Sequence, residues 1–106
     1  MLGIFKNLFA AGDETKLKEK IESGAVLIDV RSPGEFASGH INGSVNIPLD
    51  RIGSQLQVLK KDKPIVVFCR SGNRSKAAKG LLEQKGFSNV TDGGSINTVN
   101  KLINTK

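Results

Sequence analysis

The stretch PIVVFCRSGNRSKAAKGLLEQKG, residues 64–86, holds the only cysteine of the chain, set where an apolar run gives way to a polar turn containing a glycine. PIVVFC is β-branched and apolar without alternation, which predicts a strand covered on both faces near the centre of a sheet. The polar residues from Cys69 to Ser75 then connect it to a helix. Ser75 reads as the N-cap of that helix, Ala77, Ala78, Leu81 and Leu82 as its inward stripe, and Gly86 as a left-handed end. Strand, short loop and helix in this order make a βα unit, with Cys69 at the carboxyl end of the strand.

Working outward, the same alternation continues. Asp13 can cap a helix running to about Ser23, with Leu17 and Ile21 four apart and Gly24 as the stop. AVLIDV, residues 25–30, is a second buried-strand run. Ser32, Pro33 and Glu35 spell a capping box with proline at the first helical position, and this helix ends near Gly39. SVNIP at 44–48 reads as a strand, Leu49 to Leu59 as a helix with Ile52, Leu56 and Leu59 inward, FSNVTD at 87–92 as a last short strand, and Ile96 to Ile103 as a closing helix. Strands alternating with helices argue for a parallel α/β sheet, in which ligands bind outside the carboxyl ends of the strands. The chain divides into an N-terminal amphipathic segment, residues 1–12, and one domain over 13–106, with no repeat or long linker.

Composition limits the function classes. At 106 residues the chain can bury a core without staples, and a lone cysteine excludes an intrachain disulfide. No apolar run approaches the roughly 20 residues of a membrane-spanning helix. The formal charge of +6 suits an anionic partner. Nucleic acid is not expected, because there is no Trp or Tyr to stack bases and no recognisable motif, so Lys16, Lys18 and Lys20, like Lys60, Lys61 and Lys63, read as solvated faces. In MLGIFKNLFAAG, Lys6 and Asn7 interrupt the apolar stretch a secretory signal requires, which points to the cytoplasm, or to the periplasm if a leader has been trimmed. Leu2, Phe5, Leu8 and Phe9 recur at helical spacing and are expected to pack on the chain's own domain.

The loop after Cys69 carries the chemistry. Its N–H groups should curl around whatever lies above the helix N-terminus, forming an anion nest. Gly72 permits the positive φ that such curling needs, and Arg70 and Arg74 bring charge to the same spot. A thiol in that field is expected to ionise near neutrality. A cysteine that merely filled space at a strand end would have no use for an anion-binding loop after it.

CRSGNRS resembles the active-site loop of the rhodanese sulfurtransferases, and LIDVRSPGEFASGHINGSVNIP, residues 27–48, is similar to the N-terminal signature of the same family. The likeness spans residues 26 to about 94, and two motifs in order make it specific. It implies a single rhodanese-like domain with a parallel sheet of about five strands flanked by helices on both faces. It implies a thiosulfate sulfurtransferase that moves a sulfane sulfur through a Cys69 persulfide to cyanide or a thiol, with no metal or organic cofactor. Catalysis would fall to Cys69. Substrate binding would fall to Arg70, Ser71, Gly72, Asn73, Arg74 and Ser75, with Arg70 and Arg74 on the sulfonate end of the donor.

Asp29, Arg31, Glu35 and His40 match the first motif and read as a polar framework, with Arg31 paired to Asp29 or Glu35. His40 is expected to be scaffold, since an ionised thiol needs no base. Asp92, Gly93 and Gly94 resemble the family's turn after the last strand; SINTVN stands where many relatives carry a Trp. Two other functions fit the loop less well. A cysteine phosphatase or arsenate reductase uses a similar cradle with one more residue between Cys and Arg than the four found here. A sulfur-relay module would carry the same persulfide for a protein acceptor without turning over free thiosulfate.

Overall fold

A computed structural model describes residues 14–104. The sheet contains four parallel strands among the described residues: β1 (Val26–Asp29), β2 (Val45–Asn46), β3 (Ile65–Cys69) and β4 (Val90–Ser95), in the spatial order β2-β1-β3-β4. Around them lie α1 (residues 14–22), α2 (Pro33–Ala37), α3 (Leu49–Ile52), a 3₁₀ turn (Leu56–Val58), α4 (Asn73–Gln84) and α5 (Ile96–Asn104). The α/β class and the parallel sheet are as expected, with four strands rather than about five. The 1–12 segment and the Asp13 cap lie outside the described residues.

β3 is central and wholly buried, and its side chains alternate between two cores. Ile65, Val67 and Cys69 face one with Ile28, Ile52, Ala78 and Leu82, from β1, α3 and α4. Val66 and Phe68 face the other with Leu17, Val99 and Leu102, from α1 and α5. A strand covered on both faces has no polar side to alternate, which is why PIVVFC reads as a continuous apolar run.

Several element boundaries differ from those expected. The 49–59 helix breaks into α3 and the 3₁₀ turn, because Gly53 and Ser54 interrupt it after one turn; Ile52 is buried and Leu56 and Leu59 still pack on the same core. The last strand is displaced from 87–92 to Val90–Ser95, its register set by pairing with β3 from Ile65↔Val90 to Cys69↔Ser95, while Phe87 becomes a buried anchor ahead of it. Asp92, Gly93 and Gly94 therefore lie within β4 rather than in a turn after it. Only Val45 and Asn46 of 44–48 pair as strand. On α4 the buried stripe is Ser75, Ala78 and Leu82, with Leu81 at its flank, and Ala77 faces solvent. The left-handed helix ends are as expected, with φ +93° at Gly24 and +96° at Gly86.

Candidate active site

Cys69 closes β3, buried in the core beneath the first turn of α4. The chain turns back over it through Gly72, which caps α4 in the left-handed conformation at φ +99° with no side-chain cap. Ser75 is therefore not the N-cap. An N-cap serine would accept from the turn above it, whereas Ser75 sits inside the first turn, fully buried, and donates from its hydroxyl to Asp92 Oδ1 at 2.7 Å.

The turn aims backbone donors at the thiol. The Gly72 N–H reaches Cys69 Sγ at 3.0 Å and the Ser75 N–H at 3.4 Å. Burial pushes the Cys69 thiol up, but hydrogen bonds from the N–H groups of Ser75, Gly72 and Ser71 outweigh it and hold the thiol below its ordinary value. The loop acts on the thiol chiefly through these amides rather than through its arginines.

The two arginines go to different places. Arg74 reaches across to α2 and grips Glu35 with both ends of its guanidinium, Nη1 to Oε1 at 2.7 Å and Nη2 to Oε2 at 3.1 Å. Glu35 also closes the expected capping box, accepting from the Ser32 N–H at 3.0 Å while Ser32 Oγ accepts from the Glu35 N–H at 3.2 Å. Hydrogen bonds from Arg74 and then from the Ser32 N–H hold the Glu35 carboxyl down to about 2. Arg74 thus straps the loop to α2, and Glu35 pairs with it and not with Arg31. Arg70 is exposed and enters no ion pair among the described residues. Ser71 and Asn73 are exposed at the same rim.

The first motif forms a framework beside this loop. Asp29 is fully buried and held by Arg31, Nη2 to Oδ2 at 2.7 Å and Nε to Oδ1 at 3.0 Å, and the same guanidinium donates to the Gly39 carbonyl at 2.8 Å. Asn46, which was not singled out from sequence, ties the segment down by donating to the carbonyls of Asp29 and Arg31. His40 is exposed, stacked on Phe36 with ring centroids 4.0 Å apart. Its Nδ1 lies 3.0 Å from the Phe36 carbonyl, which can only accept, so Nδ1 carries the proton. No hydrogen bond joins His40 to the cysteine loop.

Among the described residues no group of three or more His, Cys, Asp or Glu is arranged to hold a metal ion. A groove of about 570 Å³ runs beside β4, lined by Lys16, Lys20, Lys79, Asp92 and Thr98 among others. Cys69 does not line it, so a small molecule in that groove would not meet the thiol.

A buried strand-end cysteine under a left-handed turn, with backbone donors converging on its sulfur, sets this α/β domain apart as one organised around a single thiol. The chain belongs to the rhodanese-like domain family, whose model matches residues 13–95. It is 45% identical over 75 residues to the thiosulfate sulfurtransferase GlpE of Pseudomonas syringae pv. syringae, covering 69% of this chain and 71% of that one. It is 38% identical over 81 residues to the protein of the same name from Pseudomonas aeruginosa, covering 74% of each. Among solved structures it is similar to the human single-domain sulfurtransferase TSTD1, with a TM-score of 0.72, 29% identity, and coverage of 82% of this chain and 91% of that one.

Proposed function

We propose that this chain is a thiosulfate sulfurtransferase working through a persulfide on Cys69. The observation that carries the reading is the pair of N–H groups, from Gly72 and Ser75, directed at Cys69 Sγ within a loop of only four residues between Cys69 and Arg74. The cradle is closed tightly around one sulfur atom and leaves less room for a tetrahedral oxyanion than a longer loop would. The names of the GlpE relatives support the same chemistry.

In the first half-reaction the Cys69 thiolate attacks the outer sulfur of thiosulfate. The sulfur–sulfur bond of the donor breaks and sulfite leaves with the electron pair, so the sulfane sulfur stays on Cys69 as a persulfide anion. The loop amides stabilise that anion without having to reorganise. In the second half-reaction cyanide, or a thiolate, attacks the outer sulfur and departs as thiocyanate or as a new persulfide, returning the Cys69 thiolate. This is covalent, ping-pong catalysis. Arg70, exposed at the rim, positions the anionic end of the donor, while Arg74 holds the loop through Glu35. Ser71 and Asn73 border the entrance, and Asp29, Arg31 and His40 serve as framework.

The test is thiosulfate-dependent thiocyanate formation by the purified chain, with intact mass measured after thiosulfate alone. Turnover together with a gain of one sulfur atom, both abolished in Cys69→Ala, is the expected result. The mass gain without turnover would turn the assignment to a relay for a protein acceptor. The absence of both signals would overturn the sulfurtransferase reading.

A further inference from the structure

β4 does not run regularly past Cys69. Asp92 pairs with Val67 and Gly94 with Phe68, so Gly93 is an extra residue and β4 carries a bulge. Val67 faces the α4 side of the sheet, and Asp92, opposite it, faces the same way. At Gly93 a Cβ would point to the other side, into Val66 and Val99. The bulge therefore fixes the direction of one carboxylate, toward the first turn of α4.

That carboxylate is engaged on both sides. Its Oδ1 accepts from the Gly94 N–H at 2.8 Å, which closes the bulge, and from Ser75 Oγ at 2.7 Å. A hydroxyl has one proton to donate, and the other oxygens near Ser75 Oγ are the Gly72 carbonyl at 3.0 Å and the Gly94 carbonyl at 3.4 Å. The proton goes to the shortest and only charged acceptor. Ser75 in turn supplies one of the N–H groups on Cys69 Sγ, and its neighbour in the turn, Gly72, supplies the other. At 3.4 Å the Ser75 N–H is within hydrogen-bonding reach of the sulfur, and a shift of the turn by about an ångström would remove the contact.

We propose that Asp92 is a positioning residue of the cysteine cradle: through the Ser75 hydroxyl it fixes the first turn of α4 in the register at which the Gly72 and Ser75 N–H groups meet Cys69 Sγ. It touches neither donor nor sulfur. The link is not a feature of the loop sequence, since Asp92 lies seventeen residues beyond Ser75 on another element. The inference rests on Cys69 as the reacting atom, but not on thiosulfate as the donor.

The experiment follows the rate of Cys69 alkylation by iodoacetamide against pH in Asp92→Ala, Asp92→Asn, Ser75→Ala and the double variant Asp92→Ala/Ser75→Ala, with thermal unfolding alongside. This readout is independent of sulfur transfer, so it stands or falls separately from the proposed activity. Loss of the carboxylate should raise the apparent thiol pKa by about one unit, seen as about tenfold slower alkylation below that pKa. Asn, whose amide oxygen can still accept, should fall between wild type and Ala. Ser75→Ala, a smaller deletion that keeps the test open if Asp92→Ala does not fold, should shift in the same direction. The double variant should be no worse than the more affected single one, because the two act in series. A pKa unchanged in both single variants while stability falls would reduce the link to fold maintenance and overturn the proposal. A lowered pKa would overturn it too, since removing the Asp92 charge would then matter more than removing the tether.

Discussion

Alanine at Gly93 should destabilise the fold, and the same substitution at Gly80 should do the opposite. At Gly93 an added Cβ would lie 2.9 Å from Val66 Cγ1, 2.9 Å from Val99 Cγ2 and 3.2 Å from the Val67 carbonyl oxygen. Ordinary carbon–carbon contacts are about 3.5–4.0 Å, so both valines would have to retreat by more than half an ångström. Val66 and Val99 are fully buried on the sheet face covered by α1 and α5, and the third contact is backbone, so no direction of relief is open. Overpacking of this kind costs about 1–3 kcal/mol, offset by about 0.4–1 kcal/mol from the stiffer unfolded chain. The net loss is about 1–2 kcal/mol, or about 4–16 °C in Tm for a domain of this size. Gly80 is exposed within α4 and a Cβ there meets nothing within 4 Å, so alanine should gain about 0.4–1 kcal/mol and a few degrees. Thermal unfolding of the two variants beside the parent is the assay. Equal shifts, or a Gly93→Ala Tm within a degree of the parent, would refute the claim that β4 passes Val66 and Val99 with no room for a side chain.

Two further outcomes follow from the pairing at the loop. Glu35 is held down to about 2 by Arg74 and Ser32, so its contribution to stability is fully present above the unfolded carboxylate value, about 4.3, and is lost as pH falls through about 2. The Tm difference between the parent and Glu35→Gln should therefore be constant above about pH 5 and shrink toward pH 2; a gap that widened on acidification would reverse the assignment. Arg70→Ala should raise KM for thiosulfate about 5–10-fold with kcat nearly unchanged, the loss of one exposed charge contact worth about 1 kcal/mol. Arg74→Ala should instead lower kcat by loosening the loop, and the same KM effect from both would end the division of labour drawn here.

How far the sequence could be read depended on how local each feature is. The α2 capping box depends on Ser32, Pro33 and Glu35 within one turn, and β3 on five consecutive apolar residues, so both are legible without tertiary information. The 49–59 helix is not, because the inward spacing of Ile52, Leu56 and Leu59 is shared by a broken helix whose two pieces pack on the same core. β4 lies beyond the 87–92 stretch that propensity picks out, because its residues suit close approach rather than strand propensity: two glycines lie inside it, and its register is dictated by β3. At the site, Cys69 and the left-handed Gly72 were legible as a local loop pattern. The destination of Arg74 was not, since Glu35 is thirty-nine residues away and only the fold brings them together. Ser75 shows the same limit from the other side. A serine near a helix start has the chemistry of a cap, and only the placement of Asp92 decides that its hydroxyl donates sideways instead.

The division between amides and arginines has a physical consequence for how the site works. Peptide N–H groups held by a left-handed glycine and a helix turn are fixed dipoles next to a buried sulfur, so their effect on Cys69 does not depend on side-chain conformation and is little screened by salt. A cation on a long exposed side chain has neither property. Arg74 spends its charge on the Glu35 carboxylate, and Arg70 stands exposed, where solvent and salt screen its charge. On the proposed mechanism, ionising the thiol and attracting the anionic donor thus fall to different parts of the same short loop. On the same mechanism, a persulfide formed on Cys69 would stay in the field of the amides after sulfite has left, when Arg70 would have no anion to hold, and this is the state that would have to survive until an acceptor arrives.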